Sequence, residues 1–505
     1  MIHQAPVLLL ILPLAGSLLV FLSALGPAFF SRALALLILL AGIILSLVLP
    51  LSVSGDWHYN LGGWAPPWGI ETRLSAFTGL LAAAVYFLSF LALASLGSDA
   101  RKEQTPSQGI LDGFWLLLTG SLTGLLLVRD AFTIYLLLEL SVLAAGMLLA
   151  GGGKRTWLAA FRFIFGGSVG ASLYLLGIAY LYAATGTLHL DDLLAQLLIS
   201  KNFHLIWAAG FFLTAGFVLP LLFPLPALFS GFLGELSPGF LVFLVPVAAR
   251  VAFFLLFVFY FFVLGIPGLT TPFWLAAAEQ LTAALFLSGF WFAVREGETD
   301  RAAAFLGAAP LGYVLAGFML GTSGALTGAL LEILNQLLAL AGLYLIFLWA
   351  GESTGTREAG RWAGAGRKKP LMAAAFLLLA ADLAGLPPTG GFYAKLYIFK
   401  AAFDQRQWFL ALVLAAGYGL SLYYLVRAAC GLFFPSKDSR AKAAPLYFKK
   451  TAPQFSWSVA ALVLAVLALG IFHRTLVKNV IAPALPKAFQ NLNLPVEPFS
   501  NQQVE

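Results

Sequence analysis

Long apolar runs recur from one end of the chain to the other, and they constrain its fold more than any other feature. A helix needs roughly 20 apolar residues to cross a bilayer, and the sequence supplies such runs repeatedly. Of the 505 residues, 61% are apolar and 10% are charged, whereas a soluble domain has about 45–50% and about 25%. No soluble core could bury so much apolar surface, so the sequence predicts a polytopic membrane protein.

The apolar runs predict an all-α fold of about fourteen transmembrane helices without an attached soluble domain. Numbered 1 to 14 in chain order, the predicted helices are 5–25, 31–53, 74–97, 113–128, 131–150, 159–184, 204–224, 236–265, 273–294, 302–321, 325–350, 370–400, 407–430 and 456–473. Helix 1 has no basic flank before its apolar core, so we expect it to be retained rather than cleaved as a signal peptide.

Several classes of site are disfavoured by the composition. The single cysteine, Cys430, excludes an internal disulfide and an all-cysteine iron–sulfur or zinc site. Glycine-rich segments at 150–155 and 362–369 match neither a P-loop nor a dinucleotide fingerprint. The net charge of +7 is distributed over many short loops rather than one basic face. We therefore expect this chain to bind no cofactor, metal or nucleic acid.

The distribution of Lys and Arg predicts the orientation in the membrane. Loops after odd-numbered helices hold 19 of the 29 basic residues, and the opposite loops with the tail hold 7. The remaining three, Arg250, Lys395 and Lys400, lie within predicted helices. Because basic residues in short loops favour the cytoplasmic side, we expect both termini to be extracytoplasmic, in a prokaryotic cytoplasmic (inner) membrane.

Two predicted helices contain prolines that should interrupt them inside the membrane. Each proline removes an amide donor and opens the helical hydrogen-bond ladder. The interruptions are predicted in helix 7 at Pro220, Pro224 and Pro226, and in helix 12 at Pro387, Pro388 and Gly390. Carbonyls freed in this way must be buried in protein or face a hydrated cavity, and paired broken helices are typical of translocation sites. Simple packing kinks are the alternative interpretation.

Charged residues inside the predicted helices are the second indication of function. A charge at the bilayer centre costs at least about 2.5–3.5 kcal/mol on insertion scales, so it should face the protein interior. The candidates for ion translocation are Glu139, Arg250, Glu332, Asp382 and Lys395, with Glu279 a weaker candidate. Carboxyl and amino groups can relay protons, whereas a guanidinium hardly deprotonates. Structural ion pairs, or local hydrogen bonds for Glu279 and Asp382, are the alternative.

Four segments resemble the antiporter-like membrane subunits shared by respiratory complex I, Mrp-type cation/proton antiporters and membrane-bound energy-converting hydrogenases. They are RDAFTIYLLLEL (129–140), YLLGIAYLYAATGTLHLDDL (174–193), AFLGAAPLGYVLAGF (304–318) and LAGLPPTGGFYAKLYIF (383–399). The resemblance extends over about residues 60–430. It implies fourteen helices, with helices 4–8 and 9–13 as inverted repeats that each contain one broken helix.

The resemblance also implies a hydrated axis lined by charges. Glu139 occupies the position of the family's helix 5 glutamate, and Lys395 that of its helix 12 charge. Arg250 stands at the helix 8 lysine position. Elsewhere the chain departs from the pattern: Leu219 replaces the helix 7 lysine, Pro226 replaces a histidine, Glu332 and Gln336 stand where helix 11 histidines are usual, and Leu340 stands where a lysine is usual.

The resemblance implies a membrane subunit of a complex I-like, redox-driven proton or sodium pump, or of a related Mrp-type assembly. Iron–sulfur, nickel–iron, or nicotinamide and flavin chemistry would then belong to partner subunits. The expected units are 1–111, with helices 1–3; 112–265 and 266–430, the two antiporter-like repeats; and 431–505, with helix 14 and the tail. Two alternatives stay open: a divergent copy that acts as a structural or coupling scaffold, and a stand-alone secondary solute transporter.

Overall fold

The structure is a computed structural model of the 505-residue chain. The residues that it describes are 5–24, 28–51, 55–66, 68–95, 106–151, 156–199, 203–222, 238–264, 280, 282–287, 289, 291, 307, 309–354, 368–433 and 453–490.

The first part of the described chain, residues 5–264, contains nine helices and one β-hairpin. Its helices are α1 (Ala5–Ser23), α2 (Ala28–Val48), α3 (Ala76–Ser95), α4 (Pro106–Leu127), α5 (Ala131–Ala150), α6 (Trp157–Thr185), α7 (Leu190–Ile199), α8 (Phe203–Leu222) and α9 (Pro238–Val258). A π-helical turn, Phe259–Val263, extends α9. Between α2 and α3 lie two antiparallel strands, β1 (Trp57–Asn60) and β2 (Glu71–Leu74), with Trp57 opposite Leu74.

The second part is entirely helical over its described residues. Its elements are α10 (Leu311–Leu320), α11 (Ser323–Thr354), α12 (Pro370–Ala384), α13 (Gly390–Asp404), α14 (Trp408–Phe433), α15 (Pro453–Ile471), α16 (His473–Leu476), a π-helical segment (Val477–Ile481), α17 (Ala482–Ala484) and α18 (Lys487–Gln490). Ser456–Ile471 and His473–Ala484 meet at an angle of 74°.

Half of these helices suit a bilayer in length and composition. Among the described residues, nine helices are long and apolar enough to cross a membrane, or ten if the bent pair after Ser456 is one span. A helix satisfies its own backbone hydrogen bonds, which lipid cannot do. The prediction of a nearly all-helical membrane protein is therefore confirmed. Predicted helix 9 (273–294) falls mostly outside the described residues, and so does the start of helix 10.

Three local features differ from the sequence-based prediction. The hairpin β1–β2 was not predicted, because strands of four residues are too short for a clear alternation of apolar and polar side chains. The short helix α7 was also missed, since its ten residues were treated as a loop after helix 6. The segment after α15 bends sharply and stays helical instead of forming an irregular tail.

One face of the bundle is formed by three chain segments that hydrogen-bond to each other. The backbone N–H of Arg129, between α4 and α5, donates to Glu71 O at 2.9 Å. The N–H of Leu190, at the start of α7, donates to Arg129 O at 2.9 Å. The hairpin, the α4–α5 turn and the α6–α7 turn therefore lie together, and α2, α4 and α6 all end on this face.

The centre of the molecule is built around α9 and α11. Nearly every described residue of these two helices is buried. Helix α11 packs against α9, α10, α12, α13 and α15. Helices that are apolar all round need such surroundings, either protein or lipid. Polar side chains on α9 and α11 are consequently shielded from both water and lipid, which makes this centre the place to look for function.

Candidate functional site

Three polar residues of α11 share one face in the buried centre. Glu332, Asn335 and Gln336 are all fully buried, with 0% exposure. Residues three and four positions apart lie on the same side of a helix, so their spacing places them together. Buried polar groups need partners, because an unpaired polar atom in an apolar interior is costly. The partners come from α9, α10, α12 and α13.

Lys395 lies on α13 and forms a buried ion pair with Glu332. Its Nζ donates to Glu332 Oε1 at 2.8 Å, and the two side chains are 6% and 0% exposed. The ammonium also lies 5.0 Å from the centre of the Tyr313 ring, within the range of a cation–π contact. The sequence predicts Lys395 in this place, inside the protein and beside the interruption of predicted helix 12.

The interruption separates α12 from α13 at residues 385–389, so predicted helix 12 (370–400) is two helices. Gly385 ends α12 in the left-handed region, with φ 82°, which glycine adopts without strain. A Cβ added at Gly385 would lie 2.8 Å from Lys395 Cδ. Pro387 and Pro388 lie within the break and Gly390 begins α13. The break thus places the backbone of Gly385 directly against the lysine side chain.

Gln336 connects the ion pair to Arg250 on α9. Its Nε2 donates to Glu332 Oε1 at 2.9 Å and to Pro310 O at 2.8 Å. Its Oε1 accepts from Arg250 Nε at 3.2 Å and Nη2 at 3.0 Å. These four contacts fix the orientation of the amide. The contacts join Lys395, Glu332, Gln336 and Arg250 into a continuous series, called the central polar chain below.

Arg250 is fully buried and held mainly by neutral groups. Besides Gln336, its Nη2 donates to Gly307 O at 2.7 Å. No carboxylate lies within ion-pair distance of Arg250 among the described residues. Glu332 is connected to Arg250 only through the amide of Gln336, so no single contact neutralises the guanidinium.

Asp382 takes a different position from the one expected for a close partner of Lys395. Its Oδ1 accepts from the backbone N–H of Gly391 at 3.1 Å, and its Oδ2 accepts from Asn335 Nδ2 at 2.8 Å. A carboxylate at the first residues of α13 favours that helix end through its unpaired N–H groups and its dipole. Asp382 therefore connects the end of α12 to the start of α13 across the break.

Two buried oxygen atoms of this site lack a hydrogen-bond partner among the described residues. They are Glu332 Oε2 and Asn335 Oδ1. The other polar atoms of both side chains are hydrogen-bonded. These two oxygens are therefore acceptors without a donor among the described residues. Of the two, only the carboxylate of Glu332, which is bonded to the Lys395 ammonium, is a group to which a proton can be transferred.

In the first half of the chain, the surroundings of Glu139 are less polar than those of Lys395. Glu139, on α5, is half-buried and accepts from Ser168 Oγ on α6 at 2.7 Å. Helix α8 runs past Pro220 to Leu222, but Pro224, Pro226 and Glu279 lie outside the described residues, as do the side chains of Leu219 and Pro220. The predicted break in helix 7 is thus untested. On α11, Leu340 is buried in the apolar core.

Sequence analysis did not identify Asn335 and Tyr313 as parts of the site. Asn335 could have been found from the spacing in EILNQ, which places it three residues after Glu332 on the same helix face. Tyr313 has no such signal, because its ring meets Lys395 only through the packing of α10 against α13. Side chains brought together by helix packing are not visible from spacing along one helix.

A helical protein with many spans and an ion pair buried beside an interrupted helix has the construction of an ion-translocating membrane protein. The chain belongs to the family described as "NADH:quinone oxidoreductase/Mrp antiporter, TM", which matches residues 129–421. The recognition made from the four sequence segments is thereby confirmed.

Individual relatives extend this likeness over almost the whole chain. It is 32% identical to the NADH-quinone oxidoreductase subunit N of Desulforudis audaxviator (strain MP104C), with 96% of this chain and 99% of the relative covered. Its fold is similar to a chain of the Mrp complex from Dietzia sp. DQ12-45-1b, with TM-score 0.82, 20% identity and coverage of 94% and 96%. It is similar also to a chain of an archaeal membrane-bound sulfane sulfur reductase, with TM-score 0.83, 19% identity and coverage of 95% and 97%.

Proposed function

We propose that this chain is an ion-translocating membrane subunit of a complex I-like, redox-driven proton or sodium pump or of a related Mrp-type assembly, and that the central polar chain, which runs from Lys395 in the second half to Arg250 on α9, is part of its pathway. The observation that carries the proposal is the Lys395–Glu332 pair, bonded at 2.8 Å and buried against the break between α12 and α13. The relatives are themselves subunits of such assemblies by name, which supports the same setting.

The pair can act as a switch because both members can change charge. Glu332 Oε1 accepts from Lys395 and Gln336 at once, so a proton arriving on Glu332 weakens both contacts. Lys395 is then released from its partner and can pass a proton onward or move toward the break. Gln336 holds the geometry, and Arg250 keeps a fixed positive charge at the α9 end, since a guanidinium does not exchange protons readily.

The proposed topology follows the family pattern and the charge distribution. It comprises fourteen helices with inverted repeats over helices 4–8 and 9–13, within the units 112–265 and 266–430. Both termini would be extracytoplasmic, which places the face formed by the hairpin and the α6–α7 turn on the extracytoplasmic side. Labelling of a cysteine introduced at Ser439 and one at Ser500 from opposite sides of the membrane tests this arrangement.

The partners proposed for this chain are the other membrane and peripheral subunits of one complex, together with the lipid bilayer. Electron transfer is assigned to those subunits, and no cofactor to this chain. A stand-alone solute transporter would instead purify alone. Co-purification of subunits that carry iron–sulfur, nickel–iron or flavin groups from native membranes distinguishes the two.

A structural or coupling scaffold is the second candidate function, and two observations favour it. Glu139 has a serine hydroxyl as its hydrogen-bond partner, and Leu340 places an apolar side chain on α11 where the family pattern has a lysine. A relay needs exchangeable groups within hydrogen-bond reach of one another. The scaffold role and the pumping role predict different results for the same variants, as follows.

The decisive experiment compares three variants of the assembled complex in sealed vesicles. Lys395→Met removes the ammonium and leaves Glu332 buried without its counter-charge, which costs about 3–5 kcal/mol. Combining it with Glu332→Gln removes both charges and should restore assembly. Lys400→Ala, on the exposed side of the same helix, is the matched control.

If the central polar chain carries ions, the double variant assembles like the wild type but shows no driven ion uptake, whereas Lys400→Ala pumps normally. If the pair is only structural, the double variant pumps as well as the wild type. Normal pumping by the double variant rejects the pathway proposed here and leaves the scaffold role.

A further inference from the structure

The chain changes direction sharply where its last long helix ends. Helix α15 ends at Ile471, and the helical segment His473–Ala484 continues at an angle of 74° to it. At a rise of about 1.5 Å per residue, the 19 residues of α15 span about 28 Å, close to the roughly 30 Å of a bilayer core. A segment at 74° to a membrane-spanning helix runs mainly along the membrane surface. The turn at Phe472 is called the elbow below.

The segment after the elbow has one buried side and one basic side. Its buried residues recur every four positions and are His473, Val477 and Ile481. Arg474 and Lys478 are exposed, and their spacing of four residues places them next to each other on the helix surface. Such a division of apolar and basic sides is typical of helices that lie in the interface between lipid and water.

The two cations are available to an anion from outside the chain. Among the residues that the structure describes, no carboxylate lies within ion-pair distance of Arg474 or Lys478. Arg474 lies close enough to Tyr397, on α13, for its charge to act on the phenol. The basic pair therefore lies beside α13, with its charges not neutralised by a described acidic group.

An exposed apolar stripe on α15 leads to the same point. Trp457 is 42% exposed, Leu464 and Ile471 are each 67% exposed, and Phe472 at the elbow is 62% exposed. The first three are spaced seven residues apart, so they share one face of the helix. The stripe is about 21 Å long, whereas one leaflet contains about 15 Å of hydrocarbon. Acyl chains can thus lie along this stripe while their headgroup remains at the elbow.

We propose that the elbow is a binding site for an anionic phospholipid. Its phosphate would contact Arg474 and Lys478, and its acyl chains would extend along α15 toward Trp457. A guanidinium can bind two phosphate oxygens at once, and an ammonium beside it adds a second charge. Basic residues next to apolar surface at the bilayer boundary attract acidic lipids through charge and through apolar burial. A zwitterionic lipid offers the same chains but no net negative charge, so it should bind more weakly.

A lipid at this place would lie beside the contacts that hold the elbow on α13. The ring of His473 stacks on that of Tyr393, with centroids 3.4 Å apart, and its Nδ1 donates to Gly470 O at 2.8 Å. Gly470 packs so closely on Pro388, within the break, that an added Cβ would collide with the proline carbonyl oxygen. The lipid would therefore stabilise the packing of α15 against the break. The site contains no residue of the central polar chain, so it does not depend on the proposed ion pathway.

The test is photo-cross-linking of lipids to the assembled complex in phosphatidylcholine vesicles. Two probe lipids with the same diazirine-labelled acyl chain are compared, one with a phosphatidylglycerol headgroup and one with a phosphatidylcholine headgroup. Mass spectrometry of peptides measures the labelling of residues 457–472. Glycerol phosphate is added as a soluble competitor, because it carries the phosphate without the acyl chains.

The variants remove the two charges singly and together, as Arg474→Gln, Lys478→Gln and the double variant. The matched control combines Lys369→Gln, at the start of α12, with Arg427→Gln, near the end of α14. It removes two exposed charges as well, but none at the elbow. Arg474 and Lys478 are exposed, so their variants should fold, and the comparison of the two probes on the wild type needs no variant.

We expect the anionic probe to label the stripe at least about fivefold more than the zwitterionic probe. Each single variant should lower this labelling about fivefold and the double variant about thirtyfold, while the control and glycerol phosphate leave it unchanged. Equal labelling by the two probes, or full labelling of the double variant, would overturn the proposal. Loss of labelling with glycerol phosphate would instead indicate a site for free phosphate. Absence of labelling in the assembled complex would show that another subunit covers the elbow, which also overturns it.

Discussion

The two halves of the described chain differ in the burial and the partners of the charged residues inside their helices. In the second half, Lys395 and Glu332 neutralise each other and continue through Gln336 to Arg250, all of them buried. In the first half, Glu139 is half-buried and has Ser168 as its hydrogen-bond partner. A fully buried charge needs a partner of opposite sign, whereas a half-buried one can retain water. Removing one charge should therefore cost more stability at the Lys395–Glu332 pair than at Glu139.

The largest difference between the halves is expected from removing the acid alone. Glu332→Ala removes the ion-pair partner of the buried Lys395 ammonium, which should cost about 3–5 kcal/mol. Glu139→Ala is the matched change in the first half and should cost much less. Thermal unfolding of both variants in detergent measures the contrast. Equal losses of stability in the two variants would show that Glu139 contributes as much to stability as Glu332.

The next effect tests how closely the break is packed. A Cβ at Gly391 would collide with the carbonyl oxygen of Asp382, so Gly391→Ala should force α12 and α13 apart at a cost of about 1–3 kcal/mol. Gly324→Ala on α11 meets no atom within 4 Å and serves as the control, with an unchanged or slightly raised stability. If both variants unfold at the wild-type temperature, the break is looser than this packing implies.

A loss of similar size is expected at the side chain that ties α11 to the break. Asn335→Ala removes the hydrogen bond to Asp382, a bond to a charged group that is worth about 1.5–3 kcal/mol. Asn335→Asp should be worse than Asn335→Ala, because it places a second carboxylate against the first. Thermal unfolding of the two variants gives the order, and the reverse order would show that Asp382 is held as a neutral acid.

The smallest effect is predicted in the first half. Ser168→Ala removes the hydroxyl that donates to Glu139 and should lower stability by no more than about 1 kcal/mol. Driven ion uptake in vesicles should stay close to the wild-type rate if the second half carries the ions. A loss of uptake as large as that of the Lys395 and Glu332 double variant would instead assign an essential step to Glu139.

Much of the fold could be predicted from the sequence, because lipid imposes simple rules on length and polarity. The apolar runs predicted most helices, and GLPPTGG predicted the break that precedes Lys395. The position of Asp382 could not be derived, since the turn of α13 relative to α12 decides whether its carboxylate meets Lys395 or the N–H of Gly391. The contact between Glu71 on β2 and His189 was missed for a similar reason: the two residues are 118 positions apart and meet only because the hairpin packs against the α6–α7 turn.

Helix α15 follows α14 in sequence, yet it touches the break between α12 and α13 directly. A Cβ at Gly470 would collide with the carbonyl oxygen of Pro388, so the two backbones are in contact at that point. The last long helix of the described chain therefore packs directly against the break between α12 and α13. Widening of the break would have to displace α15, although this helix contributes no residue to the central polar chain.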